Sequence, residues 1–376
     1  MSRPGKRVAP RRRRPRTARM VLAGVSVMLG APVTAPLGAQ SGGNGTIYYG
    51  NYGGTILVID ERTMRVTDTI PVEIGIPLIQ GVSEDRTRFY VTDPGFEHIE
   101  IIDIAAKRQV DRFTLSEGNK RVRINGFNVD PQQRFAIMVI RTTTKEKDRF
   151  VIGTPALVKF DLAAKAVTDT IPWPGGRERD GARILFSPDG NLMYFFSDEI
   201  LIFDTATLKQ VDSWPYASAL DFGMGSFGFG FPRDFYDEPG FYTGSFRFTD
   251  PVNRRSMMGV ARVNLVERTV DFHTLGPSAP VGFTLSPDRR RAYGLRQEVG
   301  NYELWTFDLE NRRVLGKLPF NGRPRMRLSV SSNGRLLYIS GAGQTIDIYD
   351  AATFRPLRTV EVGADVTSMI HIPPAR

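Results

Sequence analysis

Few residues in this chain are of types that could perform acid–base or metal chemistry, and they lie far apart. The 376 residues include three histidines, His98, His273 and His371, and no cysteine. Without cysteine the chain has no thiolate metal ligand, no disulfide and no covalent c-type haem attachment. The histidines lack the spacing of a metal-ligand set, and no nucleophile, phosphate or dinucleotide motif is present. We therefore predict no catalytic residue, no metal site and no cofactor in this chain.

Carboxylates do recur at a regular spacing, but their context indicates a structural role. An apolar or aromatic residue directly precedes a short polar side chain at seven recurring positions, Asp60, Asp103, Asp161, Asp204, Asn264, Asp308 and Asp350. Each position ends a β-like segment and precedes a turn sequence, where an Asp or Asn side chain accepts hydrogen bonds from the following backbone. Because Asn replaces Asp in one repeat, we predict turn caps and not proton donors.

The elements that carry these caps form a repeat of about 43 residues. Successive caps are separated by 43, 58, 43, 60, 44 and 42 residues. This period is typical of one four-stranded unit per repeat, which must stack on its neighbours to bury its faces. The first repeat has only three strand segments, and an apolar segment, Val366 to Ile372, follows the seventh repeat. We predict an all-β fold, a seven-bladed β-propeller closed by pairing of this C-terminal strand with the first blade.

The N-terminus has the pattern of a secretory signal peptide. Residues 1–39 contain nine cations and no acid, and the basic stretch precedes a short apolar run from Met20 to Leu29. Small residues follow at Gly38 and Ala39, so we predict a signal peptide over 1–39 and one propeller domain over 40–376. The pattern is compatible with export by the general secretory route and with export by the twin-arginine route. The prediction is a periplasmic or extracellular protein.

The charge distribution indicates which classes of binding partner the chain favours. The formal net charge is +10, of which nine charges lie in the predicted signal peptide, so the remainder gives no case for nucleic-acid binding. The apolar run is also too short for a membrane span. Arginines concentrate in the predicted connections between blades, where they are either solvated loop charges or a cationic funnel that faces an acidic partner or an anionic ligand. These candidate partner-binding residues are Arg121, Arg123, Arg141, Arg177, Arg179, Arg323 and Arg325.

Two repeats are longer than the others, and long loops on a compact ring are common places for function. In the third repeat the excess lies around Arg141 to Thr154, between the second and third strand segments. In the fifth repeat it extends from Gly223 to Ser256. Both segments are predicted at the same face as the connections between blades.

Several motifs resemble the YVTN class of seven-bladed propellers. They are Tyr90-Val91-Thr92-Asp93, the Ser187-Pro188-Asp189-Gly190 turn and the Asp204-Thr205-Ala206-Thr207 turn. The lengths of the repeats, the segment Phe241-Tyr242-Thr243 and the closing Asp347 to Thr353 are similar to the β subunit of quinohaemoprotein amine dehydrogenase. This resemblance implies a propeller without its own cofactor that docks a small quinone-bearing subunit and a dihaem subunit.

Three functions follow from these observations. The leading hypothesis is a secreted, non-catalytic docking subunit, which the resemblance assigns to an amine dehydrogenase-like complex. The first alternative is a stand-alone propeller that binds a ligand or a surface. The second is a lactonase-type propeller hydrolase, which needs acid–base residues at the channel mouth. For that role the sequence offers only His371, because it lies in the predicted closing strand.

Overall fold

The structure is a computed structural model that describes residues 41–197, 199–215, 227–229, 234–250 and 252–374. The predicted signal peptide lies outside the described residues, as does part of the long fifth repeat. The regular secondary structure of the described residues is β-strand throughout, apart from one 3₁₀ turn at Pro174–Gly176. The all-β prediction is therefore confirmed.

The strands form seven antiparallel sheets in chain order. The first three sheets contain β1 (Thr46–Asn51), β2 (Thr55–Asp60) and β3 (Arg65–Pro71); β4 (Leu78–Val82), β5 (Arg88–Thr92), β6 (His98–Asp103) and β7 (Arg108–Thr114); and β8 (Lys120–Val129), β9 (Phe135–Lys145), β10 (Phe150–Ile152), β11 (Ala156–Asp161) and β12 (Ala166–Ile171). All paired strands run antiparallel, so short turns suffice to connect them; in the third sheet β9 pairs with β8, β10 and β11.

The remaining sheets repeat this order. They contain β13 (Arg183–Phe186), β14 (Leu192–Phe196), β15 (Ile200–Asp204) and β16 (Gln210–Trp214); β17 (Phe227–Phe229), β18 (Phe241–Thr249), β19 (Ser256–Asn264) and β20 (Thr269–Pro277); β21 (Thr284–Leu285), β22 (Arg291–Glu298), β23 (Asn301–Asp308) and β24 (Arg313–Pro319); and β25 (Arg327–Val330), β26 (Leu336–Ser340), β27 (Thr345–Asp350) and β28 (Pro356–Glu361). The last strand, β29 (Val366–Ile372), pairs with β1 and so completes the first sheet.

The core lies between successive sheets, because both faces of each sheet are largely apolar. Aromatic pairs mark these contacts. Ring centroids are 4.7 Å apart for Tyr48–Phe89, 4.3 Å for Phe113–Phe160, 5.9 Å for Phe135–Phe186, 6.0 Å for Phe196–Tyr242 and 6.3 Å for Tyr293–Phe354. The seventh sheet packs on the first through a cluster that includes Leu336, Ile348, Ile47 and Met369.

The predicted caps are confirmed in all seven sheets. The side-chain oxygen of each recurring residue accepts a hydrogen bond from the backbone N–H three residues later, at 2.7 Å for Asp204 and Thr207 and at 3.1 Å for Asn264 and Glu267. The other five bonds involve Asp60, Asp103, Asp161, Asp308 and Asp350. These carboxylates hold the turn between the third and fourth strands of each sheet.

A feature that the sequence analysis missed accompanies every cap. The residue four positions after each recurring Asp or Asn has a positive φ, between 53° and 58°. These residues are Met64, Lys107, Lys165, Leu208, Arg268, Arg312 and Phe354. The left-handed conformation turns the chain back into the outer strand, and β-branched residues, which tolerate it least, are absent from these positions.

The junction between β29 and the seventh sheet contains a buried polar network. The Glu61 carboxylate is fully buried and accepts hydrogen bonds from Gly45 N (2.6 Å), Ser332 N (2.8 Å) and the Tyr338 hydroxyl (3.0 Å). His371 Nε2 lies 3.3 Å from Glu61 Oε1. Burial raises the pKa of Glu61, but the His371 and Ser332 contacts outweigh it and lower that pKa to about 2. The network joins residues from both ends of the described chain.

Candidate docking surface

Four of the candidate arginines lie in connections between sheets, and the other three lie in strands of the third sheet. Arg177 and Arg179 lie between β12 and β13, and Arg323 and Arg325 between β24 and β25. Arg121 and Arg123 lie at the start of β8, and Arg141 lies in the second half of β9. Because strands alternate in direction, connections between sheets and turns between second and third strands lie at the same end of their sheets. We call this end the crossover end.

The third sheet brings three of the arginines together. Arg123 and Arg141 are direct register partners on β8 and β9. The Arg123 guanidinium lies over the Phe96 ring at 4.8 Å from its centroid, a favourable cation–π contact. Arg141 Nη2 is 2.5 Å from Asp180 Oδ1, and Arg121 Nε is 3.7 Å from Glu97 Oε2. Two of these three charges are therefore offset by neighbouring carboxylates.

The connection between β12 and β13 holds one exposed and one fixed arginine. Arg177 directly follows the 3₁₀ turn and its side chain is exposed. Arg179 is half-buried, donates from Nη2 to Ser197 Oγ at 2.8 Å and lies 5.4 Å from the Phe195 ring centroid. The fixed position of Arg179 makes it part of the surface framework, whereas Arg177 is available to solvent.

Arg323 and Arg325 bind neighbouring loops of their own molecule. Arg323 Nη2 is 2.8 Å from Asp347 Oδ2. Arg325 Nη2 is 2.9 Å from Asp365 Oδ2, and its other terminal nitrogen donates to the Tyr52 hydroxyl. Arg325 thus connects three loops at the crossover end. Four of the seven predicted arginines have acidic partners within the described residues.

The long third repeat forms an ordered extension of its sheet. β11 pairs with β9 only as far as Ile140, whereas β9 continues to Lys145 between β8 and β10. We call this three-stranded extension, residues 117–123 and 141–153, the arm. At its tip Lys145 N donates to Asn119 O and Asn119 Nδ2 donates to Lys145 O, both at 2.9 Å. The predicted long loop is therefore hydrogen-bonded sheet.

Sequence reasoning missed the residues that make the arm distinctive. All three side chains of β10 are exposed, with fractions of 65% for Phe150, 43% for Val151 and 66% for Ile152. The signal was present as an apolar triplet between Asp148 and Gly153 in a segment otherwise rich in charge. It was hidden because an alternating strand normally buries one face, and here neither face is covered by a described residue.

The remaining ionisable groups do not converge on a reactive centre among the described residues. His371, the residue on which the hydrolase hypothesis depended, is buried against Glu61, with 3% of its side chain exposed. His98 Nδ1 is 3.4 Å from Asp93 Oδ2 at the start of β6, and burial lowers the pKa of His273 in β20. Within the described ranges no cluster of three potential metal ligands occurs.

A groove of about 480 Å³ lies between β12 and the last turn of the fourth sheet. Its lining includes Trp173, Phe203 and Leu208, and its ionisable residues are Asp169 and Lys209. This lining does not provide a nucleophile with a neighbouring base. Among the described helical residues, no segment is long and apolar enough to cross a membrane.

Comparison with known structures identifies the general fold. A functionally unknown protein from Desulfotomaculum acetoxidans aligns over 88% of this chain and 100% of its own, with 14% identity and a TM-score of 0.53. The β-propeller domain of Cps50 (Swd1) from Myceliophteria thermophila aligns over 79% and 90%, with 12% identity and a TM-score of 0.50. The dihydro-haem d1 dehydrogenase NirN aligns over 90% and 77%, with 12% identity and a TM-score of 0.50.

These likenesses, at identities of 12–14%, show a β-propeller fold and nothing about activity. No family model matches the sequence, and a search of curated proteins found no match.

Proposed function

We propose that the chain is an exported, non-catalytic β-propeller of seven blades whose crossover end docks a protein partner. The seven sheets, their successive aromatic contacts and the pairing of β29 with β1 support a closed ring of seven blades. Under this proposal residues 1–39 direct export and the mature protein is periplasmic or extracellular. N-terminal sequencing of the stable protein, with a start near Gln40 expected and an intact leader contradicting export, tests that part.

The observation that carries docking is the chemistry of the crossover end. Arginines paired with Asp180, Asp347 and Asp365 lie at the crossover end, and the arm at the same end carries exposed apolar side chains. Protein interfaces combine apolar contact with an arginine-rich polar rim, and prefixed side chains lose less entropy on binding. The same surface offers no described group of residues suited to acid–base catalysis.

The partner that the sequence resemblance suggests is redox-active: a quinone-bearing small subunit and a dihaem subunit of an amine dehydrogenase-like complex. The purified chain should then show neither quinone nor haem absorbance and no amine oxidation. Co-expression with such subunits from the native host should yield a complex that remains intact in gel filtration. Turnover of an amine or a lactone by the chain alone would contradict the non-catalytic proposal.

The docking surface is tested by charge reversal at two exposed arginines that have no ion pair with a described residue. Arg123 and Arg177 have exposed side chains, so Arg123→Glu with Arg177→Glu should leave the melting temperature unchanged within a few degrees. Partner association should become at least tenfold slower at low salt, and the loss should shrink as salt rises. The matched control is Arg335→Glu with Arg355→Glu, at exposed positions in turns of the opposite end. Equal effects of both pairs would exclude the crossover end as the docking surface.

A further inference from the structure

The strand β10 has an edge without a described partner. Among the described strands it pairs only with β9, through Phe150↔Lys145, Val151↔Thr144 and Ile152↔Thr143. The strand β12, which covers the outer edge of β11, ends at Ile171, the register partner of Leu157. The outer edge of β10 therefore continues beyond the part of the sheet that β12 covers. Edges of this kind are templates for pairing with another chain.

The hydrogen-bond pattern shows which backbone groups this edge presents. Gly153 N donates to Thr142 O and Glu146 N donates to Arg149 O, both at 2.8 Å. Bonded and non-bonded pairs alternate along antiparallel strands, so Val151 also faces β9. The N–H and C=O groups of Phe150 and Ile152 consequently point away from β9. Two donors and two acceptors are thus available, in the spacing that an added strand requires.

The arm is held together by its own hydrogen bonds. Its tip is held by the two Asn119–Lys145 bonds and by Glu117, whose N–H and C=O exchange bonds with Lys120 at 2.8–2.9 Å. Arg149 Nε is 2.7 Å from Glu146 Oε2 across the β9–β10 turn. Because β10 is already extended and paired with β9, the entropic cost of strand addition comes from ordering the added strand alone.

Charge indicates the chemistry of the occupant. The arm contains Lys120, Arg121, Arg123, Arg141, Lys145, Lys147 and Arg149 against Glu117, Glu146 and Asp148. This cationic surplus favours an acidic segment and disfavours a second copy of the same arm. The alternating exposure of Phe150 and Ile152 on one face with Val151 on the other suits a segment that has apolar residues between its acids.

We propose that β10 is a strand-addition edge that binds an extended, acidic segment of the partner protein. Main-chain bonds to Phe150 and Ile152 supply the pairing, apolar side chains of the segment pack on β10, and the cations of the arm select acidic sequence. This inference rests on the proposed docking function and specifies how the partner is recognised.

A defined probe tests the proposal: a fluorescent octapeptide of alternating Glu and Val, measured by anisotropy against the mature chain. The expected affinity is at least tenfold higher than for the Lys and Val counterpart. Ile152→Pro removes one outward N–H and no bond to β9, and proline is tolerated at a strand edge. It should weaken binding at least tenfold without lowering the melting temperature by more than a few degrees.

Side-chain and backbone controls sharpen the result. Ile152→Glu should also weaken binding at least tenfold, whereas Val299→Glu should not, because Val299 is an equally apolar residue with 95% exposure in another crossover-end turn. Residue-resolved hydrogen exchange should show new protection at Phe150 and Ile152 on binding, and none at Val151, which is already bonded. Unchanged affinity in Ile152→Pro, or no protection at these two amides, would overturn the proposal.

Three further outcomes are distinguishable. Concentration-dependent dimerisation that Ile152→Pro abolishes would identify a second copy as the occupant and overturn the acidic-segment proposal. If the Arg123 and Arg177 reversals impair assembly with the native partner but Ile152→Pro does not, docking stands and the β10 edge fails. If neither set affects a complex that forms normally, both proposals fail.

Discussion

At the scale of single residues, the same side-chain types that could have performed chemistry are used to hold the chain. Each recurring Asp or Asn caps a turn, and Glu61 collects backbone and side-chain donors from three parts of the molecule. A carboxylate that accepts several hydrogen bonds is stabilised in its charged form, and folding stability then depends on pH. Two predictions follow at this scale.

The first prediction concerns Asp204. Replacement by Ala leaves the N–H of Thr207 without its 2.7 Å acceptor and should lower the free energy of unfolding by about 1 kcal/mol. Asp204→Asn should lower it much less, because Asn264 performs the same role in the fifth sheet at 3.1 Å. Urea denaturation at neutral pH measures both. Equal losses for Ala and Asn would show that the charge, and not the cap, matters at this turn.

The second prediction concerns the pH dependence that Glu61 causes. Its folded-state pKa of about 2 lies below the ordinary value of 4.5. The resulting stabilisation is therefore fully present above about pH 4.5 and is lost as pH falls towards 2. Glu61→Gln should be less stable at neutral pH by a few kcal/mol, roughly 3 at about 1.4 kcal/mol per pKa unit. It should also show a weaker fall in stability below pH 4.5.

Chemical denaturation between pH 2.5 and 7 measures this slope. Glu178→Gln, at an exposed carboxylate in the connection after β12, serves as the control and should follow the wild-type curve. A Glu61→Gln variant with the wild-type acid slope would contradict the role assigned to the buried network.

At the scale of elements, the positive-φ residue after each cap reaches the preceding sheet. Four of these residues pair with an aspartate on its outer strand: Lys107 with Asp68, Lys165 with Asp111, Arg268 with Asp212 and Arg312 with Asp271. The other three, Met64, Leu208 and Phe354, pack in apolar clusters between sheets. The same positive-φ turn therefore positions an ion pair in four sheets and an apolar contact in the other three.

The third prediction compares these two kinds of contact. Phe354 is 9% exposed and its ring lies 6.3 Å from that of Tyr293, so Phe354→Ala should cost about 3 kcal/mol of unfolding free energy. Arg312→Ala removes an exposed ion pair and should cost less than about 1 kcal/mol. Both substitutions keep a positive φ in a non-glycine residue, so backbone strain is matched. Denaturant midpoints at equal slope compare them, and a larger loss for Arg312 would reverse the assignment.

At the scale of the whole molecule, the pairing of β1 with β29 joins the two ends of the described chain. The residues Val366 and Met369 of β29 are buried against the seventh sheet, and Ser368 Oγ lies near Ile79 N of the second sheet at 3.4 Å. The strand β29 therefore belongs to the first sheet and contacts both the seventh and the second sheets.

The fourth prediction is that deletion of Val366–Arg376 abolishes cooperative unfolding. The deletion exposes the edge of β1 and the apolar cluster beneath it, and burial is worth about 25 cal/mol per Å². The loss is comparable to the roughly 5–15 kcal/mol that stabilises a whole domain. Calorimetry should show a broad transition or aggregation. A truncated chain that melts as sharply and as high as the intact one would contradict the closure.

The number and order of the sheets, the turn caps and the segment that pairs with β1 could be predicted from the sequence alone. These features are local or periodic in the sequence. A cap requires only an Asp or Asn three residues before its backbone donor, and a strand is indicated by alternating apolar and polar residues. Of the candidate arginines, Arg177, Arg179, Arg323 and Arg325 lie in connections between sheets, whereas Arg121, Arg123 and Arg141 lie in the strands β8 and β9.

The contacts of the charged side chains could be read only from the tertiary structure. The pairing of Arg141 with Asp180, of Arg325 with Asp365 and of His371 with Glu61 joins residues far apart in sequence, and no local pattern encodes such distances. The free edge of β10 is likewise a property of the folded sheet, since it depends on where β12 ends relative to β11. Local sequence specifies strands and turns, whereas burial and charge pairing arise only when separate strands are brought together.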